Sequence, residues 1–320
     1  MPVTNASDPR LTYLGRSAVG VVRLSGRDRI DLLQRLSTND VARLAVAGSV
    51  FSTVLTNEKG RIVDWLQVYT RPEALLLRTS PGRAARVCAW IDRYTVMDLV
   101  GCEDLSSAYG LVVAHGPDVE AVTGYGSPPA GTWVADQEAL VCRGLAAFGP
   151  RLEILLPTAG IDALVANGQA RGAQLAGPAV LDLLRLRAGV PSPEHEFHEE
   201  INPLELRLGQ VAVSFNKGCY VGQEVIARID SYDKLARVLM GFEADVPIDR
   251  DADPHFELRV EQDGRLLGRV TSWAVESPGG ASLGLCVLQR ADAVPGRVTI
   301  VAPGGVVPSR LVDRPFWSVR

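Results

Sequence analysis

The segment Lys217–Glu224, with the sequence Lys-Gly-Cys-Tyr-Val-Gly-Gln-Glu, constrains this chain more than any other stretch. It places an amine, a thiol, a phenol, an amide and a carboxylate close together, and its two glycines allow a tight turn or a close approach to another backbone. Residues 225–229 are predicted to open a helix with Gly222 near its N-cap. This octapeptide is therefore predicted to form a turn that leads into a helix.

Cys219 is the candidate nucleophile of the octapeptide. Free amides at the helix start, the positive end of the helix dipole and the amine of Lys217 would all favour the thiolate. The alternative is a buried structural cysteine, since free cysteine is among the most buried residue types. The charged neighbours favour the catalytic interpretation, because a core cysteine does not need Lys217 and Glu224 beside it and unpaired buried charges are costly.

Composition narrows the classes of protein. A chain of 320 residues predicts two or three domains. A charged fraction of 22% and a net charge of −4 argue against a nucleic-acid or membrane-surface protein. Five scattered cysteines without a Cys-x-x-Cys pair fit reduced thiols rather than a zinc or iron–sulfur site. With no targeting pattern and no apolar run of about 20 residues, we expect a cytoplasmic protein.

A hairpin is predicted from two strands, 49–56 and 61–69, around the turn Asn57-Glu58-Lys59-Gly60. Asp64 lies on a face of the second strand that is otherwise apolar. An edge strand or a solvated face would explain this carboxylate without function, and a ligand contact is the functional interpretation.

The rest of the chain mixes strand and helix patterns. The proline-broken segment 189–200 is interpreted as a solvated acidic loop, because its histidines lack the spacing of a metal site. From about Arg237 onward, short strand patterns separated by turn signals predict a small antiparallel barrel. The sequence thus predicts an α+β fold with a C-terminal antiparallel β-barrel and no metal.

The octapeptide resembles the signature of the YgfZ-type folate-binding proteins, which are relatives of the aminomethyltransferase (T-protein, GcvT) of the glycine cleavage system. Further stretches that resemble this superfamily are 21–28, 37–40, 187–191, 202–205, 268–272 and 283–285. The resemblance implies a multi-domain arrangement of mixed α/β domains. Its predicted limits are a discontinuous folate-binding domain of residues 1–48 and 146–236, a second domain of residues 49–145 and a barrel of residues 237–320.

The resemblance also implies a tetrahydrofolate site. Asp64 matches an aspartate of the aminomethyltransferases that contacts the reactive nitrogen region of tetrahydrofolate. Glu205 matches a glutamate that holds the pterin ring, a task that suits a carboxylate because it can accept two parallel hydrogen bonds. Lys234 falls near the basic residue for the folate tail. The predicted site comprises Cys219 and Lys217 as catalytic residues and Asp64, Glu205, Tyr220 and Lys234 as cofactor-binding residues.

Three functions stay open. The resemblance implies a folate-binding accessory protein that maintains iron–sulfur enzymes, including those that modify tRNA, with these enzymes or their assembly proteins as partners. An aminomethyltransferase, which passes an aminomethyl group from a lipoyl-bearing partner to tetrahydrofolate, is the alternative. Trp65 speaks against it, because it replaces the second acid of the family motif. The third possibility is a non-catalytic scaffold.

Overall fold

The structure is a computed structural model that describes residues 10–136, 138–144, 150–197, 200–248, 256–276 and 279–313. The strands are β1 (Tyr13–Ser17), β2 (Gly20–Ser25), β3 (Val50–Thr56), β4 (Ile62–Thr70), β5 (Ala74–Thr79), β6 (Gly101–Asp104), β7 (Tyr109–His115), β8 (Trp133–Asp136), β9 (Ala139–Arg143), β10 (Arg151–Pro157), β11 (Gln174–Leu175), β12 (Arg237–Ala244), β13 (Arg259–Gln262), β14 (Arg265–Val275), β15 (Ser282–Gln289), β16 (Gly296–Ala302) and β17 (Gly305–Val312). The helices are α1 (Arg29–Leu36), α2 (Val41–Leu44), α3 (Ala84–Tyr94), α4 (Val119–Thr123), α5 (Ile161–Ala170), α6 (Pro178–Ala188), α7 (Gly209–Ala212) and α8 (Gln223–Ser231).

Five strands form an antiparallel sheet in the order β3-β4-β5-β2-β6. The hairpin predicted around residues 57–60 is confirmed, and Leu55 of β3 pairs with Asp64 of β4. Helices α1 and α3 pack on this sheet, because Leu33 of α1 and Val87 of α3 belong to one buried apolar cluster with the strands. Strand β4 is an interior strand, so Asp64 lies neither on an edge strand nor on a solvated face.

Six strands form a second sheet in the order β11-β1-β7-β10-β9-β8. Its pairs are antiparallel apart from β1 with β11. Helices α4 and α5 pack on it through an apolar cluster that includes Val122 and Leu164. A further cluster, including Tyr69 and Leu76 of the five-stranded sheet and Leu155 of the six-stranded sheet, joins the two open sheets.

The last six strands close into an antiparallel barrel in the order β12-β15-β14-β13-β16-β17. This confirms the barrel predicted from the turn signals after Arg237. Val260, Ile300 and Leu311 are among the buried residues that fill it. A register shift between Val270 and Ser272 bends β14 against β15.

A central cluster of buried apolar residues joins the β3–β4 hairpin, α6, the segment 197–212 and the barrel. Its members include Val54, Ile62, Leu186, Phe197, Leu239 and Leu285, with Trp65 packed against them. These four parts of the fold thus meet at one apolar region. The domain limits remain a prediction, and residues 1–9 and 145–149, which border two of them, lie outside the described part of the chain.

Candidate functional site

The octapeptide forms the turn before α8 and lies against the β3–β4 hairpin turn. Gly222 precedes the helix and has a φ of +84°. A Cβ atom at Gly222 would stand 2.4 Å from the carbonyl oxygen of Asn57 and 2.9 Å from the Cα atom of Gly60. Glycine is required there, because side chains disfavour that φ and the two backbones are in contact.

The amine of Lys217 fastens the octapeptide to the end of α1. Its Nζ donates to the backbone carbonyls of Gln34 at 2.6 Å, Ser37 at 2.7 Å and Asn39 at 2.7 Å. Carbonyls at a helix C-terminus lack partners within the helix and attract cations. Burial lowers the pKa of Lys217 to about 8, and the charge of Asp40 opposes this effect. The three carbonyl acceptors match the three N–H bonds of an ammonium group. The structure therefore gives Lys217 an anchoring role, and its catalytic role stays a prediction.

The other predicted residues in and near the octapeptide differ in exposure. The thiol of Cys219 is exposed, so it is accessible to solvent and to a partner. Tyr220 is buried with its ring centroid 5.0 Å from Nζ of Lys217, and burial raises its pKa to about 12. Lys234 is exposed beyond the end of α8, where its Nζ lies 5.4 Å from the ring centroid of Tyr232. A contact between Lys234 and a folate tail stays a prediction.

Asp64 is fully buried on β4. One carboxylate oxygen accepts the backbone N–H of Ser80 at 2.9 Å, and the other accepts the Ser80 hydroxyl. Burial raises the pKa of Asp64, against the opposing effects of the Ser80 hydrogen bonds and of Arg83. A buried carboxyl group with a raised pKa is a candidate general acid or base.

Glu205 is buried beside the first barrel strand. Its carboxylate accepts Nε of Arg237 at 3.0 Å and the backbone N–H of Asn202 at 2.9 Å, and Arg61 lies 3.8 Å away. These contacts fasten β12 to the preceding segment. Each carboxylate oxygen carries two lone pairs, so an additional N–H donor from a ligand is chemically compatible with this arrangement.

The interpretation of segment 189–200 as a solvated acidic loop is wrong for its centre, although Glu194 and Glu200 are exposed. Glu196 is fully buried, and its carboxylate accepts the backbone N–H of Ser192 at 2.6 Å and the hydroxyl of Ser272 in β14 at 2.7 Å. Arg185 lies 3.5 Å from the same carboxylate. The sequence signal was misleading because a buried, paired glutamate and a solvated one have the same local pattern. Two residues of this segment, His198 and Glu199, lie outside the described residues.

An aromatic pair lies in the central cluster. The rings of Trp65 and Phe197 have centroids 6.4 Å apart. The guanidinium of Arg83 stands 6.0 Å from the Phe197 ring and donates to the carbonyl of Val63 at 2.9 Å. Aromatic surface with a few placed polar groups is typical of small-molecule sites.

The β3–β4 hairpin contacts both the octapeptide and the segment that carries Glu205. Its turn contacts Gly222 of the octapeptide and, through Gly60, accepts Nδ2 of Asn202 at 3.1 Å. Arg61, directly after the turn, reaches Glu205, and Asp64 follows three residues later. The octapeptide and the Glu205 segment are therefore both docked on the hairpin that carries Asp64.

Sequence reasoning missed a buried charged network between the two open sheets. Arg78 of β5 donates to one oxygen of Glu153 in β10 at 2.7 Å, and Arg151 donates to the other at 2.8 Å. Burial raises the pKa of Glu153, but the two arginines outweigh this effect and hold it below its ordinary value. The available signal was a carboxylate inside the apolar run 152–156, the same signal that singled out Asp64.

Within the described ranges, no group of three or more His, Cys, Asp or Glu side chains could hold a metal ion. The helices in the same ranges include none with the length and apolar character needed to cross a membrane.

The sequence and the fold of this chain are similar to those of known proteins. Residues 12–125 match the family model of the GCVT N-terminal domain. The crystal structure of the glycine cleavage system aminomethyltransferase T from Bartonella henselae covers 99% of this chain and 90% of its own, with a TM-score of 0.82 and 20% identity. The chain has an aminomethyltransferase-like fold. The predicted mixed α/β arrangement with a terminal barrel is thereby confirmed.

Two relatives extend the aminomethyltransferase-like similarity at the sequence level. The aminomethyltransferase of Symbiobacterium thermophilum is 28% identical over 94% of this chain and 84% of its own. A chloroplast protein of Arabidopsis thaliana named "putative transferase" is 26% identical over 93% of this chain and 69% of its own. The similarity therefore runs through both open sheets and the barrel.

Proposed function

We propose that this protein is a tetrahydrofolate-dependent transferase of the aminomethyltransferase type, with Asp64 as its proton-exchanging residue. The observation that carries the proposal is the state of Asp64, which is fully buried, held by the neutral donors of Ser80 and raised in pKa. A buried carboxyl group with a raised pKa is a candidate for a general acid or base.

We assign separate roles to Asp64 and Glu205 in the proposed reaction. Tetrahydrofolate, when bound, supplies the nitrogen that receives the one-carbon group. Asp64 would exchange a proton at that nitrogen, and Glu205 would accept N–H donors of the pterin with the lone pairs that Arg237 and Asn202 leave available. The named function of the Symbiobacterium thermophilum relative supports this class of reaction.

The test combines binding with turnover. Calorimetric titration with tetrahydrofolate is expected to show binding by wild type and weaker binding by Glu205→Ala. Methylene-tetrahydrofolate should form when the protein-bound aminomethyl-lipoyl intermediate is supplied. Asp64→Asn should lower that rate by roughly 10²–10⁴-fold, the usual contribution of a general acid or base. Unchanged turnover in Asp64→Asn would overturn the assignment of Asp64.

A second candidate function rests on Cys219. We propose, as the alternative, a folate-binding accessory protein of the YgfZ type that supports iron–sulfur enzymes and hence tRNA modification in the cytoplasm. The exposure of the Cys219 thiol favours it, because a thiol that acts on a partner protein has to be reachable. Trp65 supports it as well, since it replaces the second acid of the aminomethyltransferase motif.

The two candidates predict different results. The accessory function requires that tetrahydrofolate binds and that no methylene-tetrahydrofolate forms. It also requires that Cys219→Ser fails to complement cells that lack such an accessory protein. Full complementation by Cys219→Ser would contradict the accessory function. A failure of tetrahydrofolate to raise thermal stability would favour a protein-binding scaffold, because a ligand of the native state must stabilise that state.

A further inference from the structure

Two cysteines outside the candidate site approach each other closely. Cys88 of α3 and Cys102 of β6 have Sγ atoms 2.7 Å apart. Both side chains are half-buried, and both cysteines are in the thiol form. The bonded distance in a disulfide is about 2.0 Å, so a small movement of either side chain would bring the sulfurs to bonding distance.

The fold provides the contact between these two side chains. Strand β6 is the edge strand of the five-stranded sheet, where Cys102 is paired with Leu24 of β2. Helix α3 packs on the same part of the sheet, and Cys88 and Cys102 both pack against its apolar cluster. The two thiols are thus brought together by helix-on-sheet packing.

We propose that Cys88 and Cys102 form a reversible disulfide that fixes α3 to the edge of the five-stranded sheet. A small-molecule disulfide such as oxidised glutathione is the oxidant. One protein thiolate attacks it, forming a mixed disulfide and releasing one small thiol. The second protein thiolate then attacks the protein sulfur of the mixed disulfide and releases the other small thiol. Two protein thiols are oxidised, and one small disulfide is reduced to two thiols.

Helix α3 gives this link a structural consequence. Directly before the helix, Arg83 donates to the carbonyl of Val63, next to Asp64. At its last residue, Tyr94 donates to the carboxylate of Glu58 in the hairpin turn at 2.5 Å. A disulfide at Cys88 would therefore restrain the helix that contacts the hairpin at two places, its turn at Glu58 and its second strand at Val63. The inference depends on the cysteine pair and not on the function proposed above.

The environment of the pair predicts slow oxidation. Burial raises the pKa of Cys88 and that of Cys102 above ordinary values, and Asp92 and Asp104 raise both further. Attack requires the thiolate, so the exposed Cys219 is expected to be modified first. The experiment therefore uses full-length protein with Cys219→Ser, which leaves four of the five cysteines.

The protein is equilibrated with mixtures of oxidised and reduced glutathione, then denatured and alkylated. We expect the number of alkylatable thiols to fall by two as the mixture becomes oxidising, and the intact mass measured before alkylation to be lower by two hydrogen atoms. Dithiothreitol should reverse both changes. The oxidised form should melt several degrees higher, because a cross-link restricts the unfolded chain. Cys88→Ala and Cys102→Ala should each abolish the loss of thiols.

Cys142→Ala is the matched control, since Cys142 is also a free cysteine but is buried elsewhere, between the sheets. It should retain the link, and the tryptic peptide 87–93 should then be found bonded to the peptide that contains Cys102. The proposal is overturned if all four thiols remain alkylatable in excess oxidised glutathione. It is equally overturned if only glutathione adducts form, or if the link persists in Cys102→Ala.

Discussion

At the scale of single residues, Asp64 and Lys217 are ionisable groups whose partners determine their charge. Asp64 has hydrogen-bond donors from Ser80, and burial opposes its ionisation. Lys217 has three carbonyl acceptors that match the three N–H bonds of an ammonium group. Burial therefore favours the neutral carboxyl of Asp64, and the three carbonyl acceptors favour the ammonium of Lys217.

Asp64 leads to a prediction about pH. Its pKa is raised on folding, so its contribution to stability is complete below the ordinary value of 3.8 and is lost as the pH rises through the folded pKa. Asp64→Asn cannot ionise, and the Ser80 hydroxyl can accept from the new amide. The variant should lose less free energy of unfolding than wild type as pH rises, which urea denaturation at a series of pH values would measure. Exposed Asp136→Asn is the control, and equal pH profiles for wild type and Asp64→Asn would contradict the prediction.

Lys217 leads to a prediction about stability. Lys217→Met retains much of the side-chain volume but leaves three carbonyls at the end of α1 without their donor. We expect a loss of about 2–4 kcal/mol in the free energy of unfolding, since a hydrogen bond to a charged group contributes about 1.5–3 kcal/mol. Lys59→Met, on the exposed hairpin turn, should stay within about 0.5 kcal/mol of wild type in the same denaturation experiment. Similar losses in both variants would argue against the anchoring role.

At the scale of elements, the contact between the β3–β4 turn and the start of α8 positions the octapeptide. Gly60 and Gly222 both have positive φ, and each lies within van der Waals distance of the other's segment. Thr56 adds a hydrogen bond from its hydroxyl to the carbonyl of Val221 at 2.6 Å. The position of Cys219 relative to the hairpin therefore depends on a contact between two backbones.

The two glycines of the octapeptide, Gly218 and Gly222, should differ in their tolerance of substitution by alanine. Gly222→Ala would place Cβ 2.4 Å from the carbonyl oxygen of Asn57 and force a left-handed φ, which alone costs about 1–2 kcal/mol. We expect destabilisation of about 2–4 kcal/mol in chemical denaturation and a change in the alkylation rate of Cys219. Gly218→Ala has open space around its Cβ and should be close to wild type in both measurements. Equal effects at the two positions would refute the backbone-contact explanation.

At the scale of the whole molecule, polar contacts supplement the central cluster in holding the barrel to the open sheets. Glu205 binds Arg237 at the first barrel strand, and Glu196 accepts the Ser272 hydroxyl of β14. Arg187 at the end of α6 adds an ion pair with Glu276 at 2.6 Å. Because burial isolates much of this region from water, the loss of one partner leaves a polar group poorly solvated.

Glu205→Gln tests this attachment. The change weakens the contact with Arg237, and we expect a loss of about 2 kcal/mol, less than for a fully buried pair because Arg237 retains 31% side-chain exposure. Glu243→Gln is the matched control, since its ion pair with Arg310 is exposed and is worth about 0–1 kcal/mol. Thermal unfolding and limited proteolysis of the barrel would measure both variants. A loss in Glu243→Gln as large as in Glu205→Gln would show that burial does not distinguish the two pairs.

The sequence by itself determined the local features of this protein. Turn residues and strand patterns predicted the hairpin and the barrel, because these depend on short-range backbone preferences. Asp64 could be recognised because it interrupts the apolar face of a strand pattern. Gly222 could be recognised because it stands near the predicted N-cap of α8. The resemblance carried by the octapeptide supplied the fold family that comparison of the whole chain then supported.

Only the tertiary structure decided which groups are partners. The burial of Glu196, the three acceptors of Lys217 and the approach of Cys88 to Cys102 all join residues from different elements. Cys88 packs against the apolar cluster of the five-stranded sheet, and its sulfur also faces the Cys102 thiol. Hydrogen bonds and sulfur–sulfur contacts form only between atoms a few ångströms apart. The sequence separation of two residues does not specify that distance, so these partners could not be predicted from the sequence.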